Sequence, residues 1–303
     1  MNIQKLYEAS LRHRSPKAAS LHYKLNKGIV NLFYPVTAKC TGGTDPSSNV
    51  IISLTSYTAR IDTVCLTVTT LLNQTVKPAM VILWLAEEQF PGREKDLPEK
   101  LKALTGKGLT IRFCDDLRPH KKYYYTMLEY PDHYVIKVDD DLFYPENLVE
   151  VLLRTSKQYP GEVVFTWGHE IVPDTEGDVF SADKWQYTSG GTKPSSLLIP
   201  TGVGGVLYPP HCLHEEVFNK AAIRKLCLNA DDLWLKAMAL LNHTKAVRAD
   251  VPAKIFFSIL KTQKTGLYRS NALEDENSAA WRRIMEAYPE CRRILLENFA
   301  EET

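Results

Sequence analysis

No apolar run in this chain approaches the roughly 20 residues that a helix needs to cross a bilayer, so no stretch reads as a membrane span. Residues 1–27 are polar and basic throughout and lack the apolar segment of a secretory signal. Cysteine is sparse: the six residues Cys40, Cys65, Cys114, Cys212, Cys227 and Cys291 form no C-x-x-C pair and have no short scaffold to staple. Reduced thiols in a cytosolic setting are the expectation. Charge of one sign is missing as well. Lys plus Arg total 37 against 36 Asp plus Glu, so no global field holds a polyanion by counterion release, and nucleic acid is not an expected partner. Internal repeats and low-complexity tracts are absent.

What remains is an ordinary globular composition, 44% hydrophobic and 24% charged over 303 residues, enough to bury a full core. Residues 1–47 read as an irregular arm that ends in the turn-rich stretch TGGTDPSS. Short β-rich apolar runs follow at 50–54 (VIISL), 80–85 (MVILWL), 109–113 and 133–138 (HYVIKV), alternating with helical patterns at 64–73, 98–104 and 121–129. This rhythm predicts an α/β fold with a mostly parallel central sheet flanked by helices. The reading continues with an α/β half over 48–160, a second half over 161–250 containing a helix at 231–241, and a helical tail over 251–303.

The sharpest chemical signal is Asp139-Asp140-Asp141, directly after an apolar strand. Open α/β sheets put ligands at the carboxyl ends of their strands. Carboxylates this close repel one another unless a cation or hydrogen bonds compensate. Mg²⁺ or Mn²⁺ resolves the conflict, since both take oxygen ligands and bind through one or two carboxylates plus substrate phosphates. An exposed acidic turn capping the next helix is the plainer account of the same residues.

Several segments, taken in order, resemble bacterial glycosyltransferase family two-like enzymes of surface-polysaccharide assembly, which have a GT-A fold and a D-x-D metal motif. They are IISLTSYTAR from Ile51, VILWL from Val81, DLRPHKK from Asp116, VDDDLFYP from Val138, GVGGVLYPP from Gly202 and ADDLW from Ala230. The resemblance implies a GT-A-like fold with an irregular C-terminal acceptor region, and transfer of a sugar from a nucleoside-diphosphate sugar to a hydroxyl with inversion. The acceptor it implies is a saccharide or lipid-linked saccharide, and the location cytoplasmic, with peripheral contact at the inner membrane face.

Carried onto this chain, the resemblance makes Asp139 and Asp141 the metal ligands. Thr55, Ser56, Tyr57, Arg60, Asp115, Asp116, Lys121, Lys122, Asp139 and Asp140 become donor contacts, with one of the two lysines functional. Asp232, or else Asp231, becomes the general base. Trp167, His169, Trp185, Gly204, Gly205 and Trp234 are expected at the acceptor, because aromatic faces suit sugar surfaces and glycine admits close backbone approach. Acceptor choice is expected in 172–196. Two alternatives use the same residues: a nucleotidyltransferase or phosphodiester hydrolase at the same metal, and a non-catalytic carbohydrate-binding protein of the same fold.

Overall fold

The computed structural model describes residues 2–12, 15–172, 182, 185–188, 193–251, 256–262 and 276–302. Residues 1–47 are not the irregular arm expected from sequence. They carry α1 (Ile3–Leu11) and α2 (Pro16–Thr37), which bury Ile3, Tyr7, Val30 and Tyr34 against the main core. These residues pair at i, i+4 within each helix, a spacing that lines up one narrow face.

The alternating elements are β1 (Val50–Thr55), α3 (Ile61–Leu72), β2 (Met80–Ala86), the short α4 (Glu99–Lys102), β3 (Leu109–Cys114), α5 (Lys121–Glu129) and β4 (Tyr134–Lys137). After them come β5 (Leu142–Phe143), α6 (Leu148–Gln158), β6 (Val163–Phe165), β7 (Gly168–Glu170), β8 (Gln186–Tyr187), β9 (Leu198–Pro200) and β10 (Val206–Tyr208). The chain then forms α7 (Lys220–Leu226), α8 (Asp231–Leu241), β11 (Ala246–Arg248), β12 (Phe257–Ser258) and the helices Glu276–Ala287 and Pro289–Glu302.

Seven strands form the main sheet in the order β11-β6-β10-β4-β1-β2-β3, and only β10 runs antiparallel to its neighbours. The sheet draws strands from both sides of residue 160. Period-two alternation sorts its side chains. Val50, Ile52 and Leu54 join the core under α3, whereas Ile51 and Ser53 face α5, where Ser53 Oγ lies 2.8 Å from Thr126 Oγ1. Ser53 is in register with Lys137, which puts that lysine on the α5 face of the sheet. A second core there collects Tyr123, Val206, Tyr208, Trp234 and the C-terminal helices.

The chain moves outward from β1 through β2 to β3, then crosses back to lay β4 on the other side of β1. Strand order therefore reverses between β1 and β4, and their carboxyl ends meet at the crevice position where open α/β sheets bind ligands. The turn after β1 carries Ser56, Tyr57 and Arg60, and the turn after β4 carries the aspartate triplet. Both motifs reach the crevice because the topology puts their strands side by side.

Candidate active site

The aspartate triplet divides between two cations, Arg60 and Lys122. Asp140 turns inward, accepting hydrogen bonds from Ser56 Oγ and Arg60 Nη1, each at 2.6 Å. Thr67 Oγ1 fixes the Asp140 carbonyl from α3 at 2.8 Å. Asp141 lies 3.2 Å from the same guanidinium group. Asp139 points the other way, to Lys122 Nζ at 2.7 Å, and its backbone N–H donates to the buried Tyr144 hydroxyl at 2.9 Å. Arg60 thus serves the triplet as a counter-ion. Its Nε is buried without a partner among the described residues, and its guanidinium sits 5.6 Å from the centroid of the Tyr57 ring.

A second acidic pair comes in from the N-terminus of α8. Asp231 is buried and accepts from Lys137 Nζ at 2.8 Å, with Lys122 Nζ at 3.3 Å. Asp232 also pairs with Lys137, and its other oxygen accepts from the Gly202 N–H at 3.2 Å. Lys122 bridges the two clusters, touching both Asp139 and Asp231. Gly202 lies between them as well. A Cβ on it would stand 3.0 Å from Asp139 Oδ1, so a side chain there would press on the carboxylate.

Electrostatics divide these carboxylates. Burial, followed by the neighbouring Asp139, pushes Asp141 up to about 7, and burial raises Asp140 despite Arg60. Burial works against the charge of Asp231 too, yet Lys122 and Lys137 hold it well below the usual carboxylate range. Asp232 shares only Lys137 closely, and burial together with Asp231 lifts it above that range. Both lysines are buried and held above their ordinary values, because the facing aspartates outweigh burial. Next to them, burial pushes His120 down to about 4; it is neutral, its Nε2–H donating to the Cys227 carbonyl at 2.9 Å.

Five carboxylates therefore face three cations, Arg60, Lys122 and Lys137, an excess of two negative charges when all are ionised. A divalent cation would offset that imbalance. No group of three His, Cys, Asp or Glu among the described residues is arranged to hold a metal. Such an ion would complete its shell with water and phosphate oxygens, the usual habit of Mg²⁺.

Of the residues singled out in the sequence, Ser56, Arg60, Lys122, Asp139, Asp140, Asp141, Asp231 and Asp232 converge on this crevice. Thr55 hydrogen-bonds the Trp84 carbonyl at 2.7 Å, which ties it to β2. Lys121 and Asp116 close on each other as a buried pair, and Gln89 Nε2 donates to Asp116 at 3.0 Å. Both lie on interactions of their own, outside the five-carboxylate cluster. Asp115 is at the surface, bridged by Lys220 at 3.0 Å and Arg224 at 3.3 Å.

The expected acceptor wall needs one correction. Trp234 is fully buried, with Nε1 donating to the Val217 carbonyl at 3.1 Å, so its ring belongs to the core under α8. Trp185 is half-buried and packs edge-on against the buried Trp281 at 5.4 Å. Trp167 and His169 are half-buried beside the 200–205 loop, where Tyr187 stacks on Trp167 at 4.1 Å. Gly204 is pressed against Thr166 and Trp167, and Gly205 takes φ +87°, a conformation that favours glycine. Of the segment 172–196, only residues 172, 182, 185–188 and 193–196 are described; Gly190 and Gly191 lie outside.

Three residues of the site had no role in the sequence reading. Lys137 was visible as a lysine inside an apolar strand, a position that demands a buried counter-charge. Tyr144 orients Asp139 through its hydroxyl, which also donates to the Val203 carbonyl at 3.3 Å. Gly202 stood in the glycine-rich segment, but only the fold identifies it as the glycine in contact with both acidic clusters.

No family model and no curated protein matches this sequence. Among solved structures the chain is similar in backbone to the mannosyltransferase PcManGT from Pyrobaculum calidifontis, in complex with GDP-Man and Mn²⁺. The TM-score is 0.44 at 11% identity, covering 98% of this chain and 87% of that one. It is also similar to S. aureus TarS 1–349, with a TM-score of 0.39 at 11% identity, covering 79% and 71% respectively. The same protein in complex with UDP gives 0.41 at 12% identity, covering 69% of this chain and 60% of that one.

Proposed function

We propose that this chain is a metal-dependent glycosyltransferase that moves a sugar from a nucleoside-diphosphate sugar onto an acceptor hydroxyl with inversion. The observation that carries the reading is the pair of acidic clusters at the strand-order reversal, which together hold two more negative charges than their counter-ions balance. In this reading Asp139 and Asp141 hold Mn²⁺ or Mg²⁺. The bound ion supplies neutralisation of charge on the departing diphosphate. The unpartnered Arg60 Nε and the Lys122 ammonium give the same phosphates fixed positive charge.

Asp231 and Asp232 take different tasks. Asp231 keeps two buried lysines paired, whereas the Asp232 side chain is 28% exposed and its basicity is raised. A base shifted toward working pH accepts a proton more effectively. The acceptor oxygen attacks the anomeric carbon, its proton passes to the Asp232 carboxylate, and the bond from that carbon to the diphosphate oxygen breaks. Lys137 and the Gly202 N–H position the carboxylate. The half-buried Trp167 and His169, beside the 200–205 loop, provide a surface suited to the acceptor. The location this function calls for is cytoplasmic, in glycoconjugate or polysaccharide synthesis.

A panel of nucleotide sugars screened for thermal stabilisation with and without Mn²⁺ selects the donor. Turnover of that donor should release a nucleoside diphosphate and a new glycosidic bond. Release of pyrophosphate or a nucleoside monophosphate would instead mark a nucleotidyltransferase or hydrolase.

A further inference from the structure

The outward face of α2 is apolar where a surface helix is normally polar. Leu21, Leu25, Leu32 and Val36 are 70, 60, 69 and 79% exposed, and Phe33 is 49% exposed. At 100° per residue the four aliphatic side chains fall within one narrow arc, opposite the buried Val30 and Tyr34. Leu260 extends the patch: it is 49% exposed, and its N–H donates to Asn31 Oδ1 of α2 at 2.8 Å. The sequence that holds α2 carries charge of one sign only. Between Glu8 and Asp45 the sequence has six Lys and Arg and no acidic residue. Lys17 and Lys24 are exposed along one border of the stripe.

From this pairing of an apolar stripe with a basic border, we infer that α2 is a membrane-surface anchor that lies in the interface of a bilayer rich in anionic lipid. The apolar arc enters the acyl boundary while the lysines meet lipid phosphates and carboxylates. Spanning is not at issue, since no helix among the described residues is long and apolar enough to cross a membrane. A second copy of the chain suits the face less well. The spacing 21, 25, 28, 32, 35 would make a two-stranded seam, but two of its positions are Gly28 and Pro35. The flanking Lys17 and Lys24 would find no acidic partner in this stretch, and coiled coils rely on such pairs for partner choice.

The anchor is coupled to the crevice through few bonds. Tyr34 of α2 packs on Phe143 of β5 at 5.0 Å, and Tyr23 on Phe257 of β12 at 5.1 Å. β5 begins directly after Asp141, whose carbonyl accepts from the Ile259 N–H, beside β12, at 2.8 Å. The inward side of α2 is therefore joined to the segment that follows the aspartate triplet.

The test is co-sedimentation of the full chain with vesicles of phosphatidylcholine alone and of phosphatidylcholine with about one-third phosphatidylglycerol, a fraction that gives strong negative surface potential. No donor or turnover is involved, so this result and the transferase reading stand or fall separately. The expected result is binding to the anionic vesicles, weakened at least tenfold by Leu25→Asp with Leu32→Asp and several-fold by Lys17→Glu with Lys24→Glu. High salt should weaken it too. Circular dichroism should show both variants folded, because all four positions are exposed. Equal binding by wild type and both folded variants, or none to anionic vesicles, overturns the proposal. So does a dimer in sedimentation velocity that the leucine substitutions dissolve while vesicles bind nothing.

Discussion

The two acidic clusters at the crevice look alike in sequence and differ in physics. In the pair 231–232, neighbouring carboxylates are driven apart: Asp231 is held ionised by two buried lysines, and Asp232 is raised and reaches toward solvent. In the triplet 139–141, one guanidinium serves two carboxylates, and Asp141 is pushed up to about 7. The pair has Lys137 and a share of Lys122 for two carboxylates; the triplet has Arg60 and the other share of Lys122 for three. The doubly paired Asp231 belongs to the framework, and the underpaired triplet is ready for an external cation.

Removing Lys137 should have the largest effect. Lys137→Met leaves the buried Asp231 with the more distant Lys122 alone and Asp232 with no cation close to it, and breaking one partner of a buried ion pair costs on the order of 3–5 kcal/mol. Urea denaturation measures this directly, and a loss below about 1 kcal/mol would mean that the cluster is solvated. The adjacent aspartates should then split. Asp231→Asn is expected to cost about 2–3 kcal/mol, because Lys122 and Lys137 lose their shared counter-charge. Asp232→Asn should stay within about 1 kcal/mol of wild type yet lower turnover by roughly 10²–10⁴-fold with donor binding retained. If the two variants behave alike in stability and in turnover, the division of labour between them is wrong.

Asp141→Asn sharpens the comparison from the other cluster. The folded-state value of Asp141 lies above the unfolded one, so the carboxyl contributes stability at low pH that is lost as pH rises from about 4 through 7. In metal-free buffer the variant should match wild type near pH 4 and exceed it by about 1–3 kcal/mol above pH 7. Melting curves across that range check the sign, and a variant less stable than wild type at pH 8 would contradict it. The smallest effect belongs to the surface. Asp115→Ala, which removes an exposed partner of Lys220 and Arg224, should change stability by less than about 1 kcal/mol.

The parallel half of the sheet was legible because VIISL, MVILWL and HYVIKV are short β-rich runs separated by turn signals, and the observed strands fall on them. The antiparallel strand Val206–Tyr208 was not, since it sits inside a glycine- and proline-rich segment that reads as a turn. The N-terminal helices were hidden by polar composition; their buried residues are few and lie on one narrow face. In the site, the triplet and the acidic pair were each visible, but nothing in sequence joins them. That link is Lys137, a residue whose meaning depends on β4 facing α8 across the sheet surface. Lys121 and Lys122 are indistinguishable in sequence, and the 100° turn between successive helical positions sends one to Asp116 and the other to the crevice. Trp234 failed as an acceptor wall because an aromatic in an apolar-periodic helix most simply packs inward.

The most direct test of the underpaired triplet is calorimetric titration of a nucleoside diphosphate into the protein with and without Mn²⁺, for wild type, Asp139→Asn and Asp141→Asn. Wild type should bind the diphosphate at least tenfold tighter with Mn²⁺, about 1.4 kcal/mol of coupling, and both variants should lose that gain. A Mn²⁺ effect of the same size in all three proteins would contradict the account.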